Sequence, residues 1–101
     1  MTARVLKPRA EVDLDGILDH LTIEAGSHAA RKYALAFDAC LDRLSEFPGI
    51  GAPRPELGAM TRISIVTPYL VIYEFDETSD TVTILRILHG RRNLSRQSLG
   101  H

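Results

Sequence analysis

The sequence predicts an α+β domain in which an antiparallel sheet packs against a hairpin of two helices. Apolar residues recur at helical spacing in the first half of the chain and at strand-like spacing in the second half. A segment rich in Pro and Gly separates the two halves. The predicted order is β-α-α-β-β-β. Because 101 residues is close to the common size of one domain, we expect a single domain spanning residues 1–101.

A short strand and two helices are predicted in the first half. Residues 4–7 form the strand, which Pro8 ends. The first helix has an apolar stripe at i, i+3, i+4 and i+7, formed by Leu14, Ile17, Leu18 and Leu21. Gly26 interrupts the pattern, and Ser27 is the predicted N-cap of the second helix. One face of that helix carries Ala30, Tyr33, Ala34, Phe37, Leu41 and Leu44.

A loop and an alternating strand follow the helices. Pro48 stops the second helix, and the high Pro and Gly content of residues 48–58 predicts a loop. Residues 60–66 then alternate, so we expect one face to carry Ile63 and Ile65 and the other Arg62 and Ser64.

Two further strands complete the predicted sheet. Residues 69–75 are β-branched and aromatic with little alternation, which is typical of a central strand covered on both faces. A polar turn at 76–80 leads into a last strand at 81–88. We expect the last three strands to form an antiparallel meander with the helix hairpin on one face.

Charge is distributed unevenly along the chain, although the net charge is only −1. Residues 1–80 carry eight Lys or Arg against thirteen Asp or Glu, a balance of −5. Residues 81–101 have no acidic side chain and a balance of +4, from Arg86, Arg91, Arg92 and Arg96. Such an end suits an anionic surface of a partner, and the alternative is a solvated basic tail.

Several classes of site and location are disfavoured. Cys40 is the only cysteine, so an internal disulfide and a cysteine metal cage are excluded, and we expect it to be a small buried residue. The four histidines, His20, His28, His89 and His101, show no metal spacing, and we expect neither a metal nor a cofactor. Because no long apolar run opens the chain, we expect a cytoplasmic protein without a membrane segment.

Two stretches, residues 47–75 and 81–93, carry a family resemblance. They hold a Pro-Gly loop after the second helix, an Arg opening the next strand, a Tyr before an apolar strand ending in Tyr, and a final strand running into His-x-x-Arg. The residues at these positions are Pro48, Gly51, Arg62, Tyr69, Tyr73, His89 and Arg92. In this ordered combination the chain resembles the ParE-type toxins of the RelE/ParE toxin–antitoxin superfamily.

The resemblance implies a type II toxin that binds DNA gyrase as its target, without catalysis and without sequence-specific DNA binding of its own. It also implies a hetero-oligomer with a cognate ParD-like antitoxin, whose C-terminal segment folds across the helix hairpin and sheet. The expected target-binding residues are Arg62, His89, Arg91, Arg92 and Arg96. The expected antitoxin-binding residues are Leu14, Leu18, Leu21, Phe37, Leu41 and Leu44, for most of which the alternative is burial in the core.

The alternative function is that of the RelE-like members, which cut messenger RNA on the ribosome. Metal-free RNA cleavage needs a base, an acid and cations that stabilise the phosphorane. RelE-like nucleases use lysines on the loop and second strand and a tyrosine near the C-terminus. The lysines of this chain, Lys7 and Lys32, do not lie at those positions. Glu56, Arg62 and His89 match part of a second nuclease pattern that ends in a His-Tyr pair, but the residue after His89 is Gly. The sequence therefore favours binding, with loss of toxicity as a third possibility.

Three polar features have structural interpretations. Arg62 is either solvated or paired with Glu74 across the hairpin. Arg86 must reach the sheet edge or meet a carboxylate, because at period two it shares its face with Val82, Ile84 and Leu88. A solvated acidic face is expected on the first helix from Asp13, Asp15 and Asp19.

Overall fold

The computed structural model describes residues 2–91, which form a five-stranded sheet with two helices against it. The elements are β1 (Ala3–Leu6), α1 (Pro8–Ala25), α2 (Ser27–Glu46), β2 (Ala52–Pro53), β3 (Thr61–Val66), β4 (Tyr69–Asp76) and β5 (Thr81–His89). The order in the sheet is β1-β5-β4-β3-β2. The predicted α+β class, the helix hairpin and the antiparallel β3-β4-β5 meander are confirmed. Within the described residues, neither helix is long and apolar enough to cross a membrane.

The sheet is mixed, which the sequence did not predict. β1 pairs with β5 in parallel, with Leu6 opposite Ile84. β2 lies inside the predicted loop and pairs antiparallel with β3, with Pro53 opposite Arg62. β4 is therefore the middle strand, as its continuous apolar sequence predicted.

The two helices are separated by a single residue. α1 begins at Pro8. The N–H groups of the first helical turn have no acceptor within the helix, so proline, which lacks an N–H, loses no hydrogen bond at this position. α1 ends at Ala25, and the next residue, Gly26, has a φ of 93°, which lies in the region that favours glycine, and an N–H that donates to the Thr22 carbonyl. The prediction of Ser27 as N-cap is wrong, because Gly26 holds that position and Ser27 is already helical. The sharp break turns α2 back along α1.

The main core lies between the helices and the sheet. Phe37 and Leu44 of α2 and Tyr73 of β4 are each 0% exposed there. A second cluster of buried side chains includes Ile63 and Ile72, and Ile72 alternates along β4 with Val71 and Tyr73 of the main core. Ile65, predicted to lie on the same face of the strand as Ile63, is 65% exposed, whereas Ile63 is buried.

A β-bulge interrupts the pairing of β4 with β5. Tyr73 lies opposite Ile84, but its neighbour Ile72 lies opposite Arg86, so Leu85 is an extra residue. Beyond the bulge, the faces of β5 are exchanged.

The bulge corrects the predicted faces of β5. Val82, Ile84 and Ile87 belong to the main core, whereas Leu88 belongs to the second cluster. The predicted grouping of Leu88 with Val82 and Ile84 is wrong, because one inserted residue shifts the alternation by one position.

Candidate functional site

A buried ion pair fixes α1 to β5. The Arg86 side chain donates to Asp13 twice, from Nε to Oδ2 at 2.7 Å and from Nη2 to Oδ1 at 2.9 Å. The Ile87 N–H also donates to Oδ2, at 3.0 Å. The hydrogen bonding that Arg86 donates to the Asp13 carboxylate is the main cause that raises the pKa of Arg86, and burial opposes it. Arg86 meets a carboxylate, as one of its two predicted alternatives required.

The prediction that Asp13 belongs to a solvated acidic face is wrong. Its side chain is only 13% exposed, whereas Asp15 and Asp19 on the same helix are exposed. Position on the helix decides the difference: Asp13 faces β5, at the place where the bulge presents Arg86 and a backbone N–H.

A groove of about 560 Å³ runs between α1 and the end of β5. Its apolar lining includes Ile17, Leu21, Tyr69 and Ile87, and its polar lining includes His20, Glu24 and His89. Gly16 also lines the groove, and a Cβ added there would meet nothing within 4 Å. The groove can therefore accept apolar side chains of a partner, with polar groups at its margin.

His89 packs against an aromatic cluster at the end of the groove. Its ring contacts Tyr69 edge-on, with centroids 5.7 Å apart, and its Nδ1 accepts a hydrogen bond from the Arg91 N–H at 3.1 Å. Tyr69 also packs against Tyr33 and Phe37. Burial, and secondarily Tyr33, raise the pKa of Tyr69, so its hydroxyl is neutral at physiological pH. The exposed His89 and Arg91 thus stand on a rigid base.

A second feature, which we call the loop clasp, holds the loop after α2. The Tyr73 hydroxyl donates to the Pro48 carbonyl at 2.7 Å and accepts from the Gly51 N–H at 2.9 Å. Arg62 Nη1 donates to the carbonyls of Gly49 at 2.9 Å and Gly51 at 2.7 Å. These two side chains tie the loop to the middle of the sheet.

Arg62 therefore has a partner other than the predicted one. Thr61, and not Arg62, lies opposite Glu74, while Arg62 lies opposite Tyr73. The predicted pairing of Arg62 with Glu74 is wrong, because the guanidinium turns to the loop carbonyls. Burial raises the pKa of Tyr73, opposed by the Gly51 hydrogen bond and the Arg62 charge, with Cys40 a smaller raising influence. The phenol keeps its proton and can donate it to Pro48.

The predicted target-binding residues do not form one cluster. His89 lies opposite Tyr69 and Arg62 lies opposite Tyr73, so the two are separated by about 13 Å along β4 at 3.3 Å per residue. His89 and Arg91 are close together, and both are exposed. Arg92 and Arg96 lie outside the described residues. The target-binding assignment stays a prediction, in which His89 and Arg91 are adjacent and Arg62 is apart.

The predicted antitoxin-binding residues divide by helix. On α1, Leu14, Leu18 and Leu21 are half-buried, and Leu21 lines the groove. On α2, the three predicted residues have side chains that are 0 to 6% exposed: Phe37, Leu41 and Leu44. These three form the core under α2, which is the alternative stated for them, and their assignment to antitoxin binding stays a prediction. The α1 residues stay a prediction.

The residues predicted for RNA cleavage are not brought to one place. Arg62 is engaged in the loop clasp beside the middle of β4, while His89 lies opposite Tyr69, at the start of β4. Lys7 directly precedes α1 and Lys32 lies in the second turn of α2, and both are exposed. Among residues 2–91, no group of three or more His, Cys, Asp or Glu could hold a metal ion.

Sequence reasoning missed two parts of this arrangement. The sequence contained no indication that Asp13 pairs with Arg86, apart from its position next to the apolar stripe of α1. For the loop clasp the sequence contained a weak indication, because Gly51 and Tyr73 both belong to the motif of the resemblance. The structure shows why Gly51 is needed: a Cβ there would lie 2.5 Å from the Tyr73 hydroxyl.

Comparisons with known proteins agree with this architecture. The model of the ParE toxin family of type II toxin–antitoxin systems, parDE, matches residues 5–94. Toxin ParE3 of Caulobacter vibrioides is 34% identical over 95 residues, covering 93% of both chains. Toxin ParE1 of the same organism is 33% identical, covering 94% of this chain and 95% of its own.

Solved structures show the same fold. A chain of the chromosomal ParDE toxin–antitoxin system from P. aeruginosa superposes with a TM-score of 0.73 at 24% identity, covering 88% of this chain and 96% of its own. A chain of the RelBE2 toxin–antitoxin complex from Mycobacterium tuberculosis gives 0.65 at 24% identity, covering 87% and 96%. The family model spans nearly the whole chain, and the two curated relatives exceed 30% identity over it. The chain therefore belongs to the ParE toxin family of type II toxin–antitoxin systems.

Proposed function

We propose that this toxin acts in the cytoplasm by binding DNA gyrase, and that a cognate ParD-like antitoxin neutralises it. The observation that carries the proposal concerns the groups that RNA cleavage would use. These groups lie apart from one another, and they are already held in hydrogen bonds within the protein. Arg62 donates two hydrogen bonds to loop carbonyls, and His89 is packed and hydrogen-bonded about 13 Å away along β4. A protein that acts by binding needs no such constellation.

Binding alone is sufficient to poison gyrase. Gyrase passes through an intermediate in which it is covalently joined to cleaved DNA, so a bound protein that slows resealing leaves a break. The exposed His89 and Arg91 offer a basic contact at the end of β5, and Arg92 and Arg96 extend that charge in the sequence. Cations at a rim speed association with an acidic surface.

The groove between α1 and β5 is the proposed antitoxin site. It is lined by Leu21, and half-buried Leu14 and Leu18 lie on the same helix. A segment that folds on binding can place its apolar side chains in such a groove. The relation to chains of ParDE and RelBE2 toxin–antitoxin complexes supports an antitoxin partner.

Purified gyrase tests the proposed target. We expect the toxin to block supercoiling and to accumulate linear DNA. An Arg91→Ala, Arg92→Ala double variant should need about tenfold or more protein for the same effect, because it loses two cations of the contact. Message cleavage on ribosomes is measured in parallel. Cut message with unaffected gyrase would refute the proposal and favour the ribonuclease function.

Filling the groove tests the proposed antitoxin site. Gly16→Leu places a side chain in open space at the groove wall, and leucine is a far better helix former than glycine. We expect antitoxin affinity to fall about tenfold or more while the free energy of unfolding rises by about 0.5–1 kcal/mol. Titration calorimetry with the antitoxin segment and urea unfolding measure the two effects.

The matched control is Ala36→Leu, which adds the same side chain at an exposed site of α2 that does not line the groove. It should bind the antitoxin like the wild type. Full affinity in Gly16→Leu would exclude the groove as the site.

A further inference from the structure

The imidazole ring of His89 lies at the β5 side of the groove between α1 and β5. Two contacts hold it. The ring meets Tyr69 edge-on, with centroids 5.7 Å apart, and its Nδ1 accepts a hydrogen bond from the Arg91 N–H at 3.1 Å. Tyr69 is itself buried and packs against Phe37 of the main core. The ring is therefore oriented before any partner binds, and that ordering cost is not charged against affinity.

The hydrogen bond at Nδ1 determines which ring nitrogen of His89 carries the proton. Nδ1 accepts from the Arg91 N–H through its lone pair, so the neutral ring holds its proton on Nε2. Within residues 2–91, no atom accepts a hydrogen bond from this Nε2–H. Because His89 is exposed, the Nε2–H is a fixed donor that a partner can reach.

The surroundings of His89 make this donor matter for whatever fills the groove. On the β side of the groove the lining residues are Tyr69, Ile87, Leu88 and His89, and among these only His89 is exposed. A segment that covers the apolar neighbours also removes water from the imidazole. A donor that loses its water and gains no acceptor costs binding free energy, so the covering segment needs an oxygen at this place.

We propose that the Nε2–H of His89 donates a hydrogen bond to an oxygen of the antitoxin segment in the groove and selects segments that carry an oxygen there. The inference rests on the proposed function, in which the groove is the antitoxin site. A segment with only apolar groups at this position leaves the donor unmatched and binds more weakly, which makes His89 a specificity-determining residue. Arg91 is not among the residues that line the groove, so its cation remains available for the gyrase contact.

Two variants separate the outward donor from the internal hydrogen bond. His89→Asn keeps an oxygen near the position of Nδ1, which can accept from the Arg91 N–H, but it has no donor near the position of Nε2. His89→Gln has an amide N–H near the position of Nε2 but no acceptor near that of Nδ1. Both variants lose the ring contact with Tyr69, so this loss cancels when the two are compared.

Titration calorimetry with the full-length ParD-like antitoxin measures the effect. We expect affinity to fall about tenfold or more in His89→Asn and to stay within about threefold of the wild type in His89→Gln. Because His89 is exposed, the thermal midpoints of both variants should lie within about 2 °C of the wild type.

The source of the oxygen is found with variants of the antitoxin. Each Asp, Glu, Asn and Gln of its toxin-binding segment is replaced by alanine and tested against the wild type and His89→Asn. A replacement that weakens binding to the wild type but not to His89→Asn identifies a side-chain acceptor. If every replacement acts equally on both, the acceptor is a main-chain carbonyl. Either source supports the proposal.

Other outcomes overturn it. Wild-type affinity in His89→Asn with weakened binding in His89→Gln would show that His89 serves only its internal hydrogen bond. Equal affinities of the two variants would show that the outward donor has no role. Weaker gyrase inhibition by His89→Asn with unchanged antitoxin affinity would assign the donor to the target instead. Failure of the wild type to bind the antitoxin would refute the proposed antitoxin itself, a result that is distinguishable because it needs no variant.

Discussion

Replacing Asp13 with alanine should destabilise the protein by about 3–5 kcal/mol, the cost typical of breaking a buried ion pair from one side. The substitution removes the carboxylate that receives two hydrogen bonds from the Arg86 side chain and one from the Ile87 N–H. The Arg86 side chain is only 7% exposed, so water cannot readily replace the lost acceptor. Urea unfolding measures the loss.

Asp15→Ala is the matched control, because Asp15 lies on the same helix and is exposed. It should change the free energy of unfolding by no more than about 0.5 kcal/mol. Replacing both partners, as in Asp13→Leu with Arg86→Met, should cost less than Asp13→Ala alone, because no buried charge then loses its counter-charge. A loss below about 1 kcal/mol for Asp13→Ala would contradict the role assigned to this pair.

Gly51→Ala should cost about 3 kcal/mol, combining an overpacked site with weakened hydrogen bonds. The new Cβ would lie 2.5 Å from the Tyr73 hydroxyl and 2.9 Å from the Ile63 carbonyl oxygen. Neither neighbour can move freely, because Tyr73 is 0% exposed and the Ile63 carbonyl is part of the backbone of β3, which is paired in the sheet. The loop must shift instead, and the hydrogen bonds of the loop clasp are strained. Thermal and urea unfolding of the variant measure this cost.

Gly49→Ala separates this steric effect from a general effect of alanine in the loop. A Cβ at Gly49 would meet nothing within 4 Å, although its carbonyl also receives a hydrogen bond from Arg62. Its unfolding free energy should stay within about 0.5 kcal/mol of the wild type. Equal stability of the two glycine variants would show that the close contact at Gly51 does not constrain the loop.

The period of the apolar residues was enough to predict most of the fold. The helical stripe around Leu14 specifies which side α1 buries, because its period follows from backbone geometry, and the continuous apolar run at 69–75 indicates a strand covered on both faces. The parallel position of β1 was not predictable in this way, since four residues carry no signal for their partner strand. The bulge at Leu85 was hidden too, because an inserted residue looks like the next step of an alternation.

The candidate site was less predictable than the fold. The sequence identified Arg62, His89 and Arg91 as polar residues of interest but could not show that Arg62 turns to the loop carbonyls. Phe37 and Leu44 of the α2 stripe are buried in the core, and the apolar spacing alone could not distinguish burial in the core from a partner surface. A long-range hydrogen bond such as that between Arg86 and Asp13 spans 73 residues, and no local pattern encodes it.

The most direct test of this account is a titration of purified gyrase with the toxin on supercoiled DNA, with linear DNA as the signal. We predict that linear DNA rises until toxin and gyrase are about equimolar, then levels off, and that prior addition of the antitoxin abolishes it. A plateau at this ratio is what a stoichiometric binding poison produces. Unchanged DNA over the whole titration, together with message cut on ribosomes by far less than equimolar toxin, would show that the protein is an enzyme and would contradict the account.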